Sequence, residues 1–226
     1  MSESMLTLPT AQKSWANLDS ILVAEIRKNL RTSFNPWQQI NAVPKLVEQV
    51  VVNVLQQELD VATPGDEYFT VCRKSLRALS EKRDIFPESF QCTNIIKKEE
   101  LPFSGGASAD VWKGEMDGRP VCLKVLRIFT SKNQVEKILK QLRREAIVWR
   151  QLRHGNILPF IGINCSYFTP SYCLISPWMN NGSLISFLEL HPDHDRLHCV
   201  RDIANAVEFM HSLDPEREYL SFVNEL

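Results

Sequence analysis

The sequence has 226 residues, 44 % hydrophobic and 23 % charged, with a formal net charge of −1, enough material for one ordinary domain or two small ones. Its longest apolar runs, VVVNVL at 50–55 and ILPFIGI at 157–163, stop far short of a membrane span, and MSESMLTLPTAQKSW has no basic start ahead of an apolar stretch, so neither a membrane protein nor a secreted one is expected. Six cysteines (Cys72, Cys92, Cys122, Cys165, Cys173, Cys199) lie apart without a Cys-x-x-Cys pair, which argues against zinc or redox chemistry and for reduced, buried thiols in an intracellular, cytoplasmic setting.

Residues 11–83 contain Gly65 as their single glycine and predict helices over SWANLDSILVAEIRKNL, over PKLVEQVVVNVLQQEL after Pro44, and over DEYFTVCRKSLRALSEKR beyond the Pro64-Gly65 break. Their apolar stripes need only a packing explanation, and no His, Cys or carboxylates gather there. Residues 1–90 are therefore expected to form a helical region, a scaffold or a surface for a protein partner.

From residue 90 the texture changes to short strand-like runs punctuated by Gly, Asn and Pro: ADVWKGEM, PVCLKVL, then ILPFIGINC and SYCLISPWM. Asp117-Gly118 between the first two is a hairpin signal. These four strands, with one long helix inserted after the second, predict an α+β fold in which an antiparallel sheet carries a helix on one face. After Met179 the pattern becomes helical again, in NGSLISFLEL and DRLHCVRDIANAVEFMHSL.

Lys124 stands in the middle of the apolar run PVCLKVL, where an ammonium costs free energy unless something neutralises it. The following helix, SKNQVEKILKQLRREAIVWRQL, has an apolar stripe at Val135, Ile138, Leu139, Leu142, Ala146 and Trp149. At about 100° per residue Glu145 lies beside that stripe and Arg144 points nearly the other way, so an ion pair between Glu145 and Lys124 is available. Upstream, the loop in FSGGASADVWKG brings Gly105 and Gly106, which let a backbone come close to a ligand and present N–H groups to phosphates. Each feature alone has an ordinary structural explanation; their order is more specific. Residues 119–153 also hold ten Lys and Arg against Glu136 and Glu145, net +8, which suits either a solvated helix face or a nucleic acid. The run lacks the interleaved aromatics of single-strand binding platforms, which disfavours nucleic acid.

This order of residues resembles the small lobe of a eukaryotic protein kinase, most closely the tyrosine-kinase-like serine/threonine group. Against the family's G-x-G-x-x-G-x-V loop the chain reads Ser104-Gly105-Gly106-Ala107-Ser108-Ala109-Asp110-Val111, matching at Gly106 and Val111; two of the three glycines are replaced. Against V-A-I-K it reads Val121-Cys122-Leu123-Lys124, and LRHGNILPFIG, with His154 and Asn156, resembles the passage from the family's helix into its next strand. The resemblance implies ATP as ligand, with Lys124 on its α- and β-phosphates and Glu145 holding that lysine. It further implies apolar walls from Val111, Cys122 and a strand residue such as Leu174, Ser176 at the gatekeeper position, and adenine held by the backbone of Pro177 to Met179. The domains implied are a small lobe over 99–175, a hinge over 176–181 and the start of a large lobe over 182–226.

A complete relative would transfer the ATP γ-phosphate to protein Ser or Thr. After His211, however, the chain reads SLDPEREYLSFVNEL, without the His-Arg-Asp, Asp-Phe-Gly and Ala-Pro-Glu motifs that would supply the base and the Mg²⁺ ligands. The expectation is a nucleotide-binding chain without catalytic residues of its own; the alternative is a non-enzymatic interaction or pseudokinase module. The last helix, with Val200, Ile203, Ala204 and Val207 on one stripe and Phe209 opposite, reads as one to be covered on several sides. His191, His194, His198 and Cys199 suit either an ordinary helix start capped by Asp193 or Asp195 or, less simply, a metal site, and no metal is expected there.

Overall fold

The computed structural model describes residues 10–32, 43–105, 109–127, 132–169 and 171–213. The chain divides into two compact units, Met1–Leu79 and Ser80–Leu226. The expected helices are present as α1 (Thr10–Thr32), α2 (Glu48–Val61) and α3 (Glu67–Arg83), and the division falls inside α3. Pro44, with φ −63°, leads into a short 3-10 turn before α2, and Gly65, at φ 89°, breaks α2 from α3 where other residues are strained.

In the first unit Val51, Val52, Val54, Leu55 and Leu59 of α2 and Phe69, Cys72, Leu76 and Leu79 of α3 are buried. Glu58 is buried among them. Arg27 Nε donates to its Oε1 at 2.7 Å, and Tyr68 Oη and Arg31 Nη2 donate to its Oε2 at 2.7 and 3.4 Å. Burial pushes the Glu58 carboxyl upward, but the bonds from Tyr68, Arg27 and Arg31 together outweigh it and hold the group below the ordinary glutamate range.

The second unit is built on a six-stranded antiparallel sheet: β1 (Ile95–Lys97), β2 (Ser104–Gly105), β3 (Ala109–Met116), β4 (Arg119–Leu126), β5 (Gly162–Asn164) and β6 (Cys173–Pro177). The spatial order is β1-β3-β4-β6-β5, with β2 paired to the start of β3. The four strands expected from sequence correspond to β3 to β6, although only Gly162–Asn164 of the expected run ILPFIGINC is strand; the short β1 and β2 were not among them. Asp117 and Gly118 take φ 51° and 76°, the left-handed pair a tight hairpin needs, and they set the register from Met116↔Arg119 to Ala109↔Leu126.

That register divides β4 cleanly. Val121, Leu123 and Val125 join Ile95, Cys173 and Ile175 in a buried cluster, covered by Trp112, Met116, Ile161 and Phe168. Cys122 and Lys124 occupy the other face. The helix α4 (Lys132–Gln151) lies there, burying Leu142, Ala146, Ile147 and Trp149, and Trp149 Nε1 donates to the Leu158 carbonyl at 2.7 Å. The outer edge of β5 is closed by the segment before β1, where Cys92 N–H donates to the Ile163 carbonyl at 2.9 Å and Asn164 Nδ2 to the Cys92 carbonyl at 2.8 Å. A paired edge is protected against joining another chain.

Beyond β6 come α5 (Leu184–Leu190), with Ser183 accepting from Ser186 N–H at its start, and α6 (Arg196–Leu213), with Asp195 accepting from Leu197 and His198 N–H. The turn after α4 grips α6: His154 stacks on Phe209 at 5.0 Å, and Asn156 Nδ2 donates to the Asp202 carbonyl at 3.0 Å and carboxylate at 3.2 Å. Ala206, Met210 and Leu213 are buried, whereas Val200, Ile203 and Ala204 are exposed, so among the described residues a helix expected to be covered on several sides is covered on one.

The cysteines also depart from expectation. All six are free, but only Cys72 and Cys173 are buried, and Cys165, in the turn after β5, is exposed. No helix among the described residues is long and apolar enough to cross a membrane. Gly106 and the tail beyond Leu213 lie outside the described residues.

Candidate functional site

Lys124 projects from the centre of β4 toward α4, and its Nζ stands 3.3 Å from Glu145 Oε1. The side chains are 19 % and 8 % exposed, so the pair is mostly withdrawn from water while the ammonium keeps an accessible edge. The geometry follows from two periodicities. Alternation along β4 turns Lys124 away from the Leu123 cluster, and the helical repeat of α4 turns Glu145 toward the sheet beside Ala146.

Directly opposed residues of an antiparallel ladder share a face. Lys124 opposes Val111 on β3 and Leu174 on β6, and Cys122 opposes Ser176, so these side chains line one side of the sheet. Ser176 and Leu174 are buried. Burial pushes the Cys122 thiol up, against the opposing influence of a bond from Ser176 and of the Lys124 charge, which keeps it protonated and an apolar wall rather than a nucleophile. Met179 is half-exposed just past β6, where its carbonyl accepts from Gly182 N–H at 3.3 Å and the preceding Trp178 N–H donates to the Pro120 carbonyl at 3.3 Å. Val111, Cys122, Lys124, Glu145 and Ser176 are thus brought together, Met179 borders them along the chain, and Gly106 is outside the described residues.

Two further contacts in this part of the sheet were not foreseen. Arg127 Nε donates to Asp110 Oδ2 at 2.9 Å, with a second bond from Arg127 Nη2 to Asp110 Oδ1, and each lowers the other's tendency to lose its charge. A Cβ on Gly105 would come within 2.6 Å of Arg127 Nη2 and 2.9 Å of Asp110 Oδ1, so a side chain there would make the ends of these two side chains shift. In addition, Phe103 meets the Trp178 ring edge-on at 4.9 Å, and Lys113 Nζ lies over the same ring at 5.2 Å, which fastens the approach to β2 onto the end of β6. The hairpin register would have revealed the first contact; the second joins segments too distant in sequence to be paired by pattern.

The histidines are engaged separately. His191 stacks on Phe187 at 4.3 Å, His194 meets that ring edge-on at 4.9 Å, and His198 Nε2 lies 3.5 Å from Asp202 Oδ2. Among the described residues no three His, Cys, Asp or Glu converge as metal ligands.

A model of the protein tyrosine and serine/threonine kinase family matches residues 98–214, just over half of the chain. The chain belongs to this family. The match begins at the strand end before Ser104 and runs through the sheet, α4 and α6. Among curated proteins it is 30 % identical over 116 residues to the serine/threonine/tyrosine-protein kinase HT1 of Arabidopsis thaliana, covering 49 % of this chain and 29 % of that protein. It is 26 % identical over 159 residues to the probable serine/threonine-protein kinase roco7 of Dictyostelium discoideum, covering 64 % of this chain and 6 % of that protein. It is 29 % identical over 131 residues to the human scaffold protein ILK, covering 56 % and 27 %. The kinase-family chain therefore spans less than a third of the length of each of these relatives.

Proposed function

We propose that this kinase-family chain binds ATP on the sheet face that carries Lys124, with Lys124 on the α- and β-phosphates and Glu145 holding the lysine in place. The observation that carries this is the 3.3 Å contact between Lys124 Nζ and Glu145 Oε1 on a face shared with Val111, Cys122 and Ser176. The residues fit the nucleotide chemically: a tethered cation for polyphosphate, apolar walls for a flat base, and a small buried Ser176 where a larger side chain would fill the space. Gly106 would let the loop backbone approach the phosphates, and the backbone near Met179 would hold the adenine edge. Mg²⁺ accompanies ATP in the family, and the contribution proposed for this chain's own residues is Lys124 at the phosphates. ATP supplies the transferable phosphoryl group when bound; Lys124 orients it and offsets its charge.

The 226 residues contain no His-Arg-Asp, Asp-Phe-Gly or Ala-Pro-Glu motif, and as a polypeptide of this length we infer that it binds nucleotide without transferring phosphate to protein Ser or Thr. The test is thermal unfolding with and without ATP. A ligand at 100 times its Kd adds about 2.7 kcal/mol, a rise of several degrees, which Lys124→Met is expected to remove. No rise in the unsubstituted protein would sink the ATP proposal, and phosphoryl transfer above background that Lys124→Met abolishes would sink the inactivity proposal.

A second possibility is an interaction module without enzymatic role, with residues 1–90 serving a protein partner. Its support is the similarity to a relative named as a scaffold protein. Unaltered melting in ATP together with retained folding would favour it. Binding of ATP and the free thiols agree with an intracellular place of work.

A further inference from the structure

Helix α4 carries two sets of charges. Glu145 faces Lys124, while Lys140, Arg143 and Arg144 form a strip about 140° away around the helix axis. That strip is gripped by the few residues that end α3. Glu81 lies 3.5 Å from Lys140 Nζ and 3.1 Å from Arg144 Nε, and Asp84 pairs with Arg143. These are not all loose surface pairs: the Glu81 side chain is 14 % exposed and that of Arg143 only 4 %. Asp84 holds φ 58°, a left-handed conformation uncommon outside glycine and tolerated by Asp, at the point where its carboxylate reaches Arg143. The same segment is anchored just downstream by buried Phe86 and Phe90, the latter edge-on to Phe160 at 5.5 Å, and Phe160 in turn meets Trp149 of α4 at 5.6 Å.

We propose that Glu81 and Asp84 are positioning residues for the Lys124–Glu145 pair, fixing the rotation of α4 from its far side so that Glu145 reaches the lysine. The inference rests on Lys124 being the phosphate ligand. The apolar stripe of α4 attracts it to the sheet without directing it, because hydrophobic contact is non-directional. A rotation of about 20° moves the end of a side chain, roughly 6 Å from the helix axis, through about 2 Å, enough to break a 3.3 Å contact. Directional pairs on the opposite side resist that rotation, and two of the five charged groups they use, Glu81 and Arg143, are too buried to be left unpaired cheaply.

The experiment uses the 226-residue chain with Glu81→Gln and Glu81→Lys, each alone and together with Glu145→Gln. ATP affinity is measured by titration calorimetry, amide hydrogen exchange is followed across residues 140–151 and 119–126, and the unfolding midpoint is measured without nucleotide. Glu81→Lys is expected to weaken ATP about fivefold when Glu145 is present and less than twofold when it is not, because the coupling then has no recipient. Exchange in 140–151 should quicken while that in 119–126 stays unchanged. Equal weakening in both backgrounds would mark a general charge or stability effect and overturn the proposal, as would unchanged affinity and exchange in Glu81→Gln and Glu81→Lys. Absence of ATP binding in the unsubstituted chain would overturn the proposed function itself, and with it the nucleotide role of the strut, whatever the exchange data show.

Discussion

A buried charge keeps its place through the number and geometry of its partners, and Glu58 and Lys124 solve that problem differently. Glu58 receives three donors and is sealed among helices, so its bonds serve stability. Lys124 has one close carboxylate and an accessible edge, which the proposed contact with ATP phosphates requires. The difference is measurable through pH. The Glu58 carboxyl is held below the ordinary value of about 4.3, so its contribution is fully present above that value and is lost as pH falls through the folded-state value. Urea unfolding of the unsubstituted chain and of Glu58→Gln should therefore give a difference that is constant near neutrality and shrinks below about pH 4. A difference that widened with acid would mean the folded state raises the carboxyl instead.

At the level of elements, the closed edge of the sheet depends on Gly162. A Cβ there would strike the Phe90 carbonyl oxygen and approach Cys92 Sγ to 2.5 Å, and because backbone must yield, the segment that covers β5 would have to lift. Gly162→Ala is expected to cost about 2 kcal/mol, with faster exchange at the Cys92 and Ile163 amides; stability within 0.5 kcal/mol, roughly, of the parent would show that the cover is not tightly seated. Gly162 gave no such warning in the sequence, where it reads as part of the run ILPFIGI. The hairpin of β3 and β4 was legible because Asp117-Gly118 and an eight-residue alternation act within a short span. Lys124 and Glu145 were legible for the same reason, each being placed by a local period. Glu81 and Asp84 were not: they act on α4 from about 60 residues away, and neither strand nor helix periodicity relates positions across such a distance.

For the molecule as a whole, what remains uncovered is as informative as what is buried. On α5 Leu184, Ile185 and Leu190, and on α6 Leu197, Val200 and Ile203, are exposed, six large apolar residues on two consecutive helices. Single exposed aliphatics are ordinary, but this density on neighbouring elements favours association. The hydrogen bonds of Asn156 and the stacking of His154 keep α6 seated, so the apolar side chains are held out on an ordered helix. The 226-residue chain should accordingly associate with rising concentration in sedimentation velocity runs over the tens of micromolar range. Ile185→Lys with Val200→Glu should shift it toward monomer without lowering the unfolding midpoint by more than about 1 kcal/mol, since the two side chains are 73 % and 62 % exposed and little packing is lost. A chain that stayed monomeric and melted sharply would contradict this, and would mean that the exposed residues are too dispersed to form a common adhesive face.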